Sequence, residues 1–449
     1  MPEQRFAKTI AARATPPGRG GVAVIRVSGS LVAQIIAALI ERPLRPRYAE
    51  LCDFLDANGE PIDQGLALFF SAPNSFTGED ILELHAHGGD MVTDLLLERL
   101  FDLGAHPAEA GEFSQRAFIN DKLDLAQAEA IADLIDSGSR TAARAAQRSL
   151  QGAFSEKVLD LNARITNLRM HVEAAIDFPE EEIDFLDDAA LQQKIVAVAD
   201  AFAELERTVK QGCLLRDGVS VVLAGRPNAG KSSLLNALAG YDAAIVTDIP
   251  GTTRDLVRET LDLDGLPVRI VDTAGLRAST DVIEKEGVRR AKDELETADH
   301  ALVVLDCTAE NARDELLSEL PIGIGFTVVN NKIDLAEHPS GPDAANSQQI
   351  NVSAKTGAGL DDLREHLKEQ LGYATVAEGA VTARQRHLES LQRARAHFGT
   401  AQHQLEHNAA GELMADELLQ VQNALAEITG EFSSDDLLGE IFSNFCIGK

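Results

Sequence analysis

The chain is short of cysteine, of basic charge and of long apolar runs, and each shortage excludes something. Its four cysteines, Cys52, Cys213, Cys307 and Cys446, are scattered without disulfide or metal-ligand spacing. They frame neither a disulfide scaffold nor a metal cluster, and they suit a reducing compartment. No apolar run approaches the roughly 20 residues that span a bilayer. The start, Met1-Pro2-Glu3-Gln4-Arg5, lacks the charged-then-apolar build of a secretory signal, so a cytoplasmic location is expected. Lys and Arg number 41 against 72 Asp and Glu, a formal net charge of −31. No basic tail or stripe marks a nucleic-acid binder. RNA contact must therefore be local or supplied by a partner protein, and most of the acidity reads as solvated helix faces.

What is present is enough for several domains. A chain of 449 residues exceeds one ordinary core, and about three domains are expected. Apolar content of 45% and charged content of 25% are ordinary for a globular protein. Residues 1–120 mix short β-like runs with Gly/Pro turns: Val22–Val27, Gly65–Phe70 and Ile81–His85 read as strands, Leu31–Ile40 and Val92–Leu103 as helices. An α+β domain follows from that pattern. From Leu123 the texture turns helical. Val158, Leu161, Ile165, Leu168 and Val172 fall on one helix face, as do Leu191, Ile195, Val198, Phe202 and Leu205. Between about Asp217 and Gly372 strands alternate with helices, and Met414, Leu418, Val421, Leu425 and Ile428 then resume the helical stripe. Both helical stretches need partners for their stripes. The expected layout is an N-terminal domain over 1–120, one helical domain split between 121–216 and 374–449, and an α/β domain inserted over 217–373.

The inserted domain carries the chemistry. Gly225-Arg226-Pro227-Asn228-Ala229-Gly230-Lys231-Ser232 fits G-x-x-x-x-G-K-[ST], between the apolar run Val219–Ala224 and a helix begun by Leu234, Leu235 and Leu238. Such a loop closes backbone N–H groups on a β-phosphate at a helix N-terminus. Lys231 is expected to reach the β- and γ-phosphates and Ser232 to ligate Mg²⁺. Asp272-Thr273-Ala274-Gly275 ends a strand; its Asp can hold a Mg²⁺-bound water and its Gly N–H the γ-phosphate. Thr252 or Thr253 would complete the Mg²⁺ shell. Asn331-Lys332-Ile333-Asp334 follows the strand Phe326–Asn330, and its carboxylate can accept from N1–H and the 2-amino group of guanine, which adenine cannot offer. Ser353-Ala354-Lys355 could give a backbone N–H to guanine O6. In this order, at strand ends, the four segments specify GTP. At the position after Asp-x-x-Gly, where a Ras-type switch has a catalytic Gln, stands Leu276, and no arginine finger can be picked out. Either hydrolysis is slow, or the water and the transition-state charge are handled differently.

The P-loop from Gly225 through Ser233, the run Thr247-Asp248-Ile249-Pro250-Gly251-Thr252-Thr253-Arg254-Asp255, and Asp272-Thr273-Ala274-Gly275-Leu276-Arg277 resemble the Era/MnmE branch of bacterial GTPases. The N-terminal Thr15-Pro16-Pro17-Gly18-Arg19-Gly20-Gly21, the Asn74-Ser75-Phe76-Thr77-Gly78-Glu79-Asp80 loop and the ending Phe445-Cys446-Ile447-Gly448-Lys449 narrow the resemblance to the MnmE (TrmE) family, over the whole length. The resemblance implies K⁺ where other GTPases use an arginine finger, with Asn228 as side-chain ligand and the carbonyls of Thr247, Ile249 and Thr252 beside it. Thr253 is then left for Mg²⁺. A finger of this kind is worth on the order of 10³–10⁵ in rate. The ion binds when two G domains dimerise, and Glu284 matches the family residue that orients the attacking water through a bridging water.

The same resemblance makes the first domain a dimerisation and folate-binding domain. Arg26, Glu83, Lys122 and the final Lys449 would contact a 5-formyl-tetrahydrofolate-like donor. It implies a homodimer working with an FAD-dependent subunit on tRNA, with no membrane. Together they would add a carboxymethylaminomethyl or aminomethyl group to C5 of the wobble uridine. Cys446-Ile447-Gly448-Lys449 mimics a prenylation box poorly. The family reading puts the Cys446 thiol near the folate site; the alternative is a small buried residue of the last helix. A rival reading is an Era-type ribosome-assembly switch, but the helical spacing after the G domain is not its RNA-binding G-x-x-G module. A membrane-remodelling GTPase would need a basic or amphipathic lipid-binding face, and none is found.

Overall fold

The structure, a computed structural model, describes residues 8–177, 189–239, 258–272, 298–309, 313–321, 323–336, 338–344, 346–373, 379–408, 410–431, 435–443 and 445–448. The chain divides into two compact units, Met1–Ala132 with Ala396–Lys449, and Asp133–Arg395.

The first unit opens with strands β1 (Ile10–Arg13) and β2 (Gly20–Ser28), helix α1 (Val32–Leu39), strands β3 (Glu50–Leu55), β4 (Pro61–Phe70) and β5 (Ile81–Gly88), helix α2 (Asp90–Asp102), the short β6 (His106–Pro107), and helices α3 (Glu112–Ile119) and α4 (Leu125–Ile135). The six strands form one sheet in the order β3-β4-β5-β2-β1-β6. Side chains alternate along a strand, and here Ala23, Ile25 and Val27 of β2 point inward with Phe54, Leu82 and Leu84. Ile35 and Leu39 of α1 and Leu96 and Leu100 of α2 close that core. The alternate positions of β2 and β5, Arg26, Glu83 and His85, are therefore left for polar work. The three expected strands lie within β2, β4 and β5, and the two expected helices match α1 and α2 except for Leu31, Ile40 and Leu103, which fall one residue outside them; β1, β3 and β6 have no counterpart in the sequence pattern.

The second unit begins with α5 (Arg140–Leu150), α6 (Ala153–Asp177) and α7 (Ala189–Asp217). Ser139 caps α5, its hydroxyl accepting from the Ala142 N–H at 3.0 Å. Every residue of the two expected stripes is buried, Val158 to Val172 in α6 and Leu191 to Leu205 in α7. There follow β7 (Val219–Ala224), α8 (Lys231–Ala239), β8 (Arg258–Leu263), β9 (Leu266–Asp272), β10 (His300–Asp306), α9 (Arg313–Ser318), β11 (Gly325–Asn331), β12 (Gly341–Asp343), β13 (Asn346–Asn351) and α10 (Leu360–Gln370). The strand order is β12-β13-β11-β10-β7-β9-β8, with a parallel centre and antiparallel edges. The central strands β7 and β10 are apolar on both faces, as a sheet covered on two sides requires. Ala145 of α5 and Leu215 of α7 belong to the same core as these strands.

Helix α11 (Gln385–Asn408) leads back into the first unit, which α12 (Gly411–Thr429) and α13 (Asp435–Ser443) complete. The expected stripe from Met414 to Ile428 is buried in α12. Gly430 ends that helix at φ +88°, and a Cβ there would sit 2.8 Å from the Phe118 ring and 2.9 Å from Leu125 Cβ. Only glycine meets both the left-handed turn and the close approach to α3 and α4. Among the described residues no helix is long and apolar enough to cross a membrane.

Candidate functional site

In a parallel α/β sheet, ligands bind at the loops beyond the carboxyl ends of the strands. The chain places its phosphate loop there, between β7 and α8. Lys231, the first residue of α8, is nearly buried, and its Nζ donates to the Gly225 carbonyl at 2.8 Å and the Arg226 carbonyl at 3.4 Å. The ammonium thus bridges the loop at the helix N-terminus, where a phosphate would meet it. Ser232 and Ser233 are exposed on the next positions of the helix.

The guanine motif grips this loop from the end of β11. Asn331, 2% exposed, donates from Nδ2 to the Ala229 carbonyl at 3.0 Å. Its Oδ1 accepts from the Lys332 and Ala354 N–H groups at 2.8 and 3.0 Å. Lys332 Nζ donates to the preceding P-loop carbonyl, that of Asn228, at 2.7 Å. Gly230 sits at φ +92°, and a Cβ on it would fall 2.3 Å from Asn331 Nδ2. The second glycine of the motif is therefore required by the guanine loop as well as by the phosphate. Asp334 follows in a single 3₁₀ turn, Ile333–Leu335, and is exposed. Ser353 Oγ, fully buried, donates to Asp334 Oδ1 at 2.7 Å and so orients the carboxylate. The Ser353 N–H is spent on the Ala358 carbonyl and that of Ala354 on Asn331, which leaves the Lys355 N–H the least committed of the three.

Asp306 escaped the sequence reading. It ends β10, and its Oδ2 accepts from Lys332 Nζ at 2.6 Å. The Lys332 hydrogen bond, with those from Thr308, holds its carboxyl down at about 2. The signal was weak: an Asp closing an apolar run, 26 residues before the lysine it serves. A cavity of about 310 Å³ opens beside the P-loop, with Arg226, Pro227, Asp306, Cys307 and Asn330 in its wall.

The N-terminal candidates also meet in part. Arg26 and Glu83 are register partners on β2 and β5, and the guanidinium reaches Glu83 Oε1 from Nε at 2.9 Å and from its terminal nitrogen at 2.8 Å. Phe76 and Phe113 lie under the guanidinium at 5.5 and 5.7 Å. His85 Nε2, 3.6 Å from Glu83 Oε2, is buried and makes no hydrogen bond among the described residues. Glu83 thus has one oxygen bonded to Arg26 and the other facing a ring nitrogen that makes no hydrogen bond. Lys122 stands by Gly78, in the loop that carries Phe76. Cys446 is exposed rather than packed in the last helix, and its carbonyl accepts from the Gly111 N–H at 3.4 Å, just before α3. The sequence also gave no hint of Arg116, 1% exposed, which donates to Glu79 at 2.9 and 3.2 Å and to Glu112 at 2.7 Å.

Thr247, Asp248, Ile249, Pro250, Gly251, Thr252, Thr253, Thr273, Ala274, Gly275, Glu284 and Lys449 lie outside the described residues. The backbone of Asp272 ends β9, and its side chain lies outside them too.

A strand, a glycine loop and a helix, with the loop held by an Asn-Lys-x-Asp turn, define the class of P-loop GTPases. Residues 125–446 match the MnmE helical domain and residues 9–122 match the GTP-binding protein TrmE N-terminus. The tRNA modification GTPases MnmE of Erwinia tasmaniensis and Vibrio cholerae are each 54% identical to the chain, over 98% of it and 99% of their own length. The MnmE of Photobacterium profundum is 52% identical over 99% of both. The chain belongs to the MnmE family of tRNA modification GTPases. It is accordingly a GTP hydrolase, with a role in tRNA modification.

Proposed function

We propose that the chain is a K⁺-assisted GTPase whose cycle drives wobble-uridine modification of certain tRNAs. It would work as a homodimer with an FAD-dependent subunit and a folate one-carbon unit, in the cytoplasm. The observation that carries the reading is the double grip of Asn331 and Lys332 on consecutive P-loop carbonyls. It joins guanine recognition to the phosphate cradle in a chain of this family.

In GTP binding, Lys231 exchanges the Gly225 and Arg226 carbonyls for phosphate oxygens, at a helix N-terminus that favours negative charge. Asp334, oriented by Ser353, accepts from guanine N1–H and the 2-amino group. Ser232 and Thr253 would hold Mg²⁺, whose chemistry is to neutralise charge on the β- and γ-phosphates. For K⁺, the described part of the ligand set is Asn228. Asn228 is exposed, with its backbone at φ +64°. Thr247, Ile249 and Thr252 would add their carbonyls, and a cation there supplies charge stabilisation in place of an arginine. Glu284 would orient the attacking water.

The domains read as an N-terminal folate-binding and dimerisation domain over 1–120, a helical domain split between 121–216 and 374–449, and the G domain over 217–373. Glu83 Oε2 and His85 Nε2, 3.6 Å apart and not hydrogen-bonded to each other, suit a pteridine edge that both donates and accepts. Lys122 and Lys449 would meet the glutamyl carboxylates. Exposed Leu51 and Leu66, paired across β3 and β4, support a protein–protein contact by this domain. The net charge of −31 supports a division of labour in which the partner subunit holds much of the tRNA. Nucleoside analysis of tRNA from a strain lacking this gene tests the reading. The modified wobble uridine is expected to disappear, and its persistence would overturn the assignment.

A further inference from the structure

Asp306 belongs to no nucleotide motif, yet each of its carboxylate oxygens is engaged. Oδ1 accepts from the Thr308 N–H at 2.9 Å and from Thr308 Oγ1 at 2.7 Å, and Oδ2 accepts from Lys332 Nζ at 2.6 Å. The same ammonium donates to the Asn228 carbonyl at 2.7 Å. Lys332 at φ +67° and Asn228 at φ +64° both occupy the left-handed region that side-chain-bearing residues avoid. One charged group therefore links two disfavoured backbone turns to a single oriented carboxylate. The neighbouring grip, Asn331 on the Ala229 carbonyl, does not pass through Asp306. Loss of the carboxylate would leave Lys332, about a third exposed, with one neutral acceptor and open water. The hold on Asn228 would then depend on a lysine free to turn to water, while Ala229 kept its own.

We propose that Asp306 is a positioning residue of the GTPase: through Lys332 it fixes Asn228 in the P-loop, and so sets both guanine-nucleotide affinity and the site of the monovalent cation. The cation half of the proposal rests on Asn228 as the K⁺ ligand; the nucleotide half does not.

The test uses the full chain with Asp306→Ala and Asp306→Asn. The readouts are affinity for a fluorescent GDP analogue and GTP turnover titrated with K⁺ at constant ionic strength. In Asp306→Ala, GDP binding is expected to weaken about tenfold, the scale of one charge-assisted hydrogen bond. The K⁺ concentration for half-maximal turnover should rise by about the same factor, with turnover recovering at saturating K⁺. Asp306→Asn has one oxygen, which can serve Lys332 or the Thr308 N–H but not both, and it should fall between the parent and Asp306→Ala in both readouts. A parental GDP affinity and K⁺ curve in Asp306→Ala would overturn the proposal. If the parent chain itself ignores K⁺, the cation reading of the function falls, and the GDP affinities alone decide the role of Asp306. Should Asp306→Ala fail to fold by thermal melting, Thr308→Val takes its place. It removes one donor that orients the carboxylate and should shift GDP affinity the same way, about threefold; no shift would overturn the proposal.

Discussion

Three contacts at the P-loop run from side chains to backbone carbonyls, Lys231 to Gly225, Lys332 to Asn228 and Asn331 to Ala229, with the Lys332–Asp306 ion pair behind them. On the N-terminal sheet the contacts run from guanidinium to carboxylate: Arg26 to Glu83, and Arg116 to Glu79 and Glu112. The first kind can be exchanged for phosphate oxygens without stranding a charge, so it suits a loop that must take up and release a nucleotide. The second kind leaves an unpaired ion when broken, and in a buried place that is costly. The phosphate site is thus built to be rearranged, and the Arg116 cluster to stay as it is.

The contrast can be broken most visibly at Arg116. Arg116→Ala strands Glu112 and Glu79 and should destabilise the N-terminal unit by about 3–5 kcal/mol, read by chemical denaturation. GDP affinity should not move, and a loss below about 1 kcal/mol would mean that the cluster is not structural. In the G domain, substitutions should change function before stability. Glu284→Ala is expected to slow hydrolysis by on the order of 10²–10³-fold with nucleotide affinity intact. A parallel loss of binding would point to misfolding instead. Asp334→Asn should weaken GTP binding by about 10²-fold at unchanged melting temperature, and retained affinity would remove Asp334 from base recognition.

The smallest effect expected is one of pH. Burial, reinforced by the neighbouring His366, pushes the His300 imidazole down to about 4. A histidine whose folded pKa is lowered contributes its full stability above its unfolded value, about 6.5, and loses it as the pH falls toward 4. The stability difference between the parent and His300→Gln should therefore shrink across that window, by on the order of 1–2 kcal/mol. A difference independent of pH would show that His300 titrates normally.

How much was legible in the sequence follows from the same contrast. The P-loop, Asn331-Lys332-Ile333-Asp334 and Ser353-Ala354-Lys355 are contiguous words, because loops at strand ends present successive residues to one ligand. The helical stripes were legible because burial repeats at the helix period, and all fifteen residues of the three stripes are buried. Strands β1 and β3 are not legible, since four or six residues with Arg13 or Glu50 and Asp53 among them leave little alternation to see. Arg26 and Glu83 are 57 residues apart, and only strand pairing makes them neighbours. Asp306 acts through a lysine, and nothing local advertises that. Nor does any local pattern indicate that Ser139, the cap of α5, donates at 3.0 Å to the carbonyl of Gly265 between β8 and β9, joining the start of α5 to that turn.

In the proposed cycle a monovalent cation anchored at Asn228 takes the place of an arginine finger. GTP turnover by the full chain, measured in K⁺ and in Na⁺ at equal ionic strength, tests it most directly. A rise of about tenfold or more in K⁺, abolished by Asn228→Ala, is the expected result. Equal rates in the two salts would contradict it.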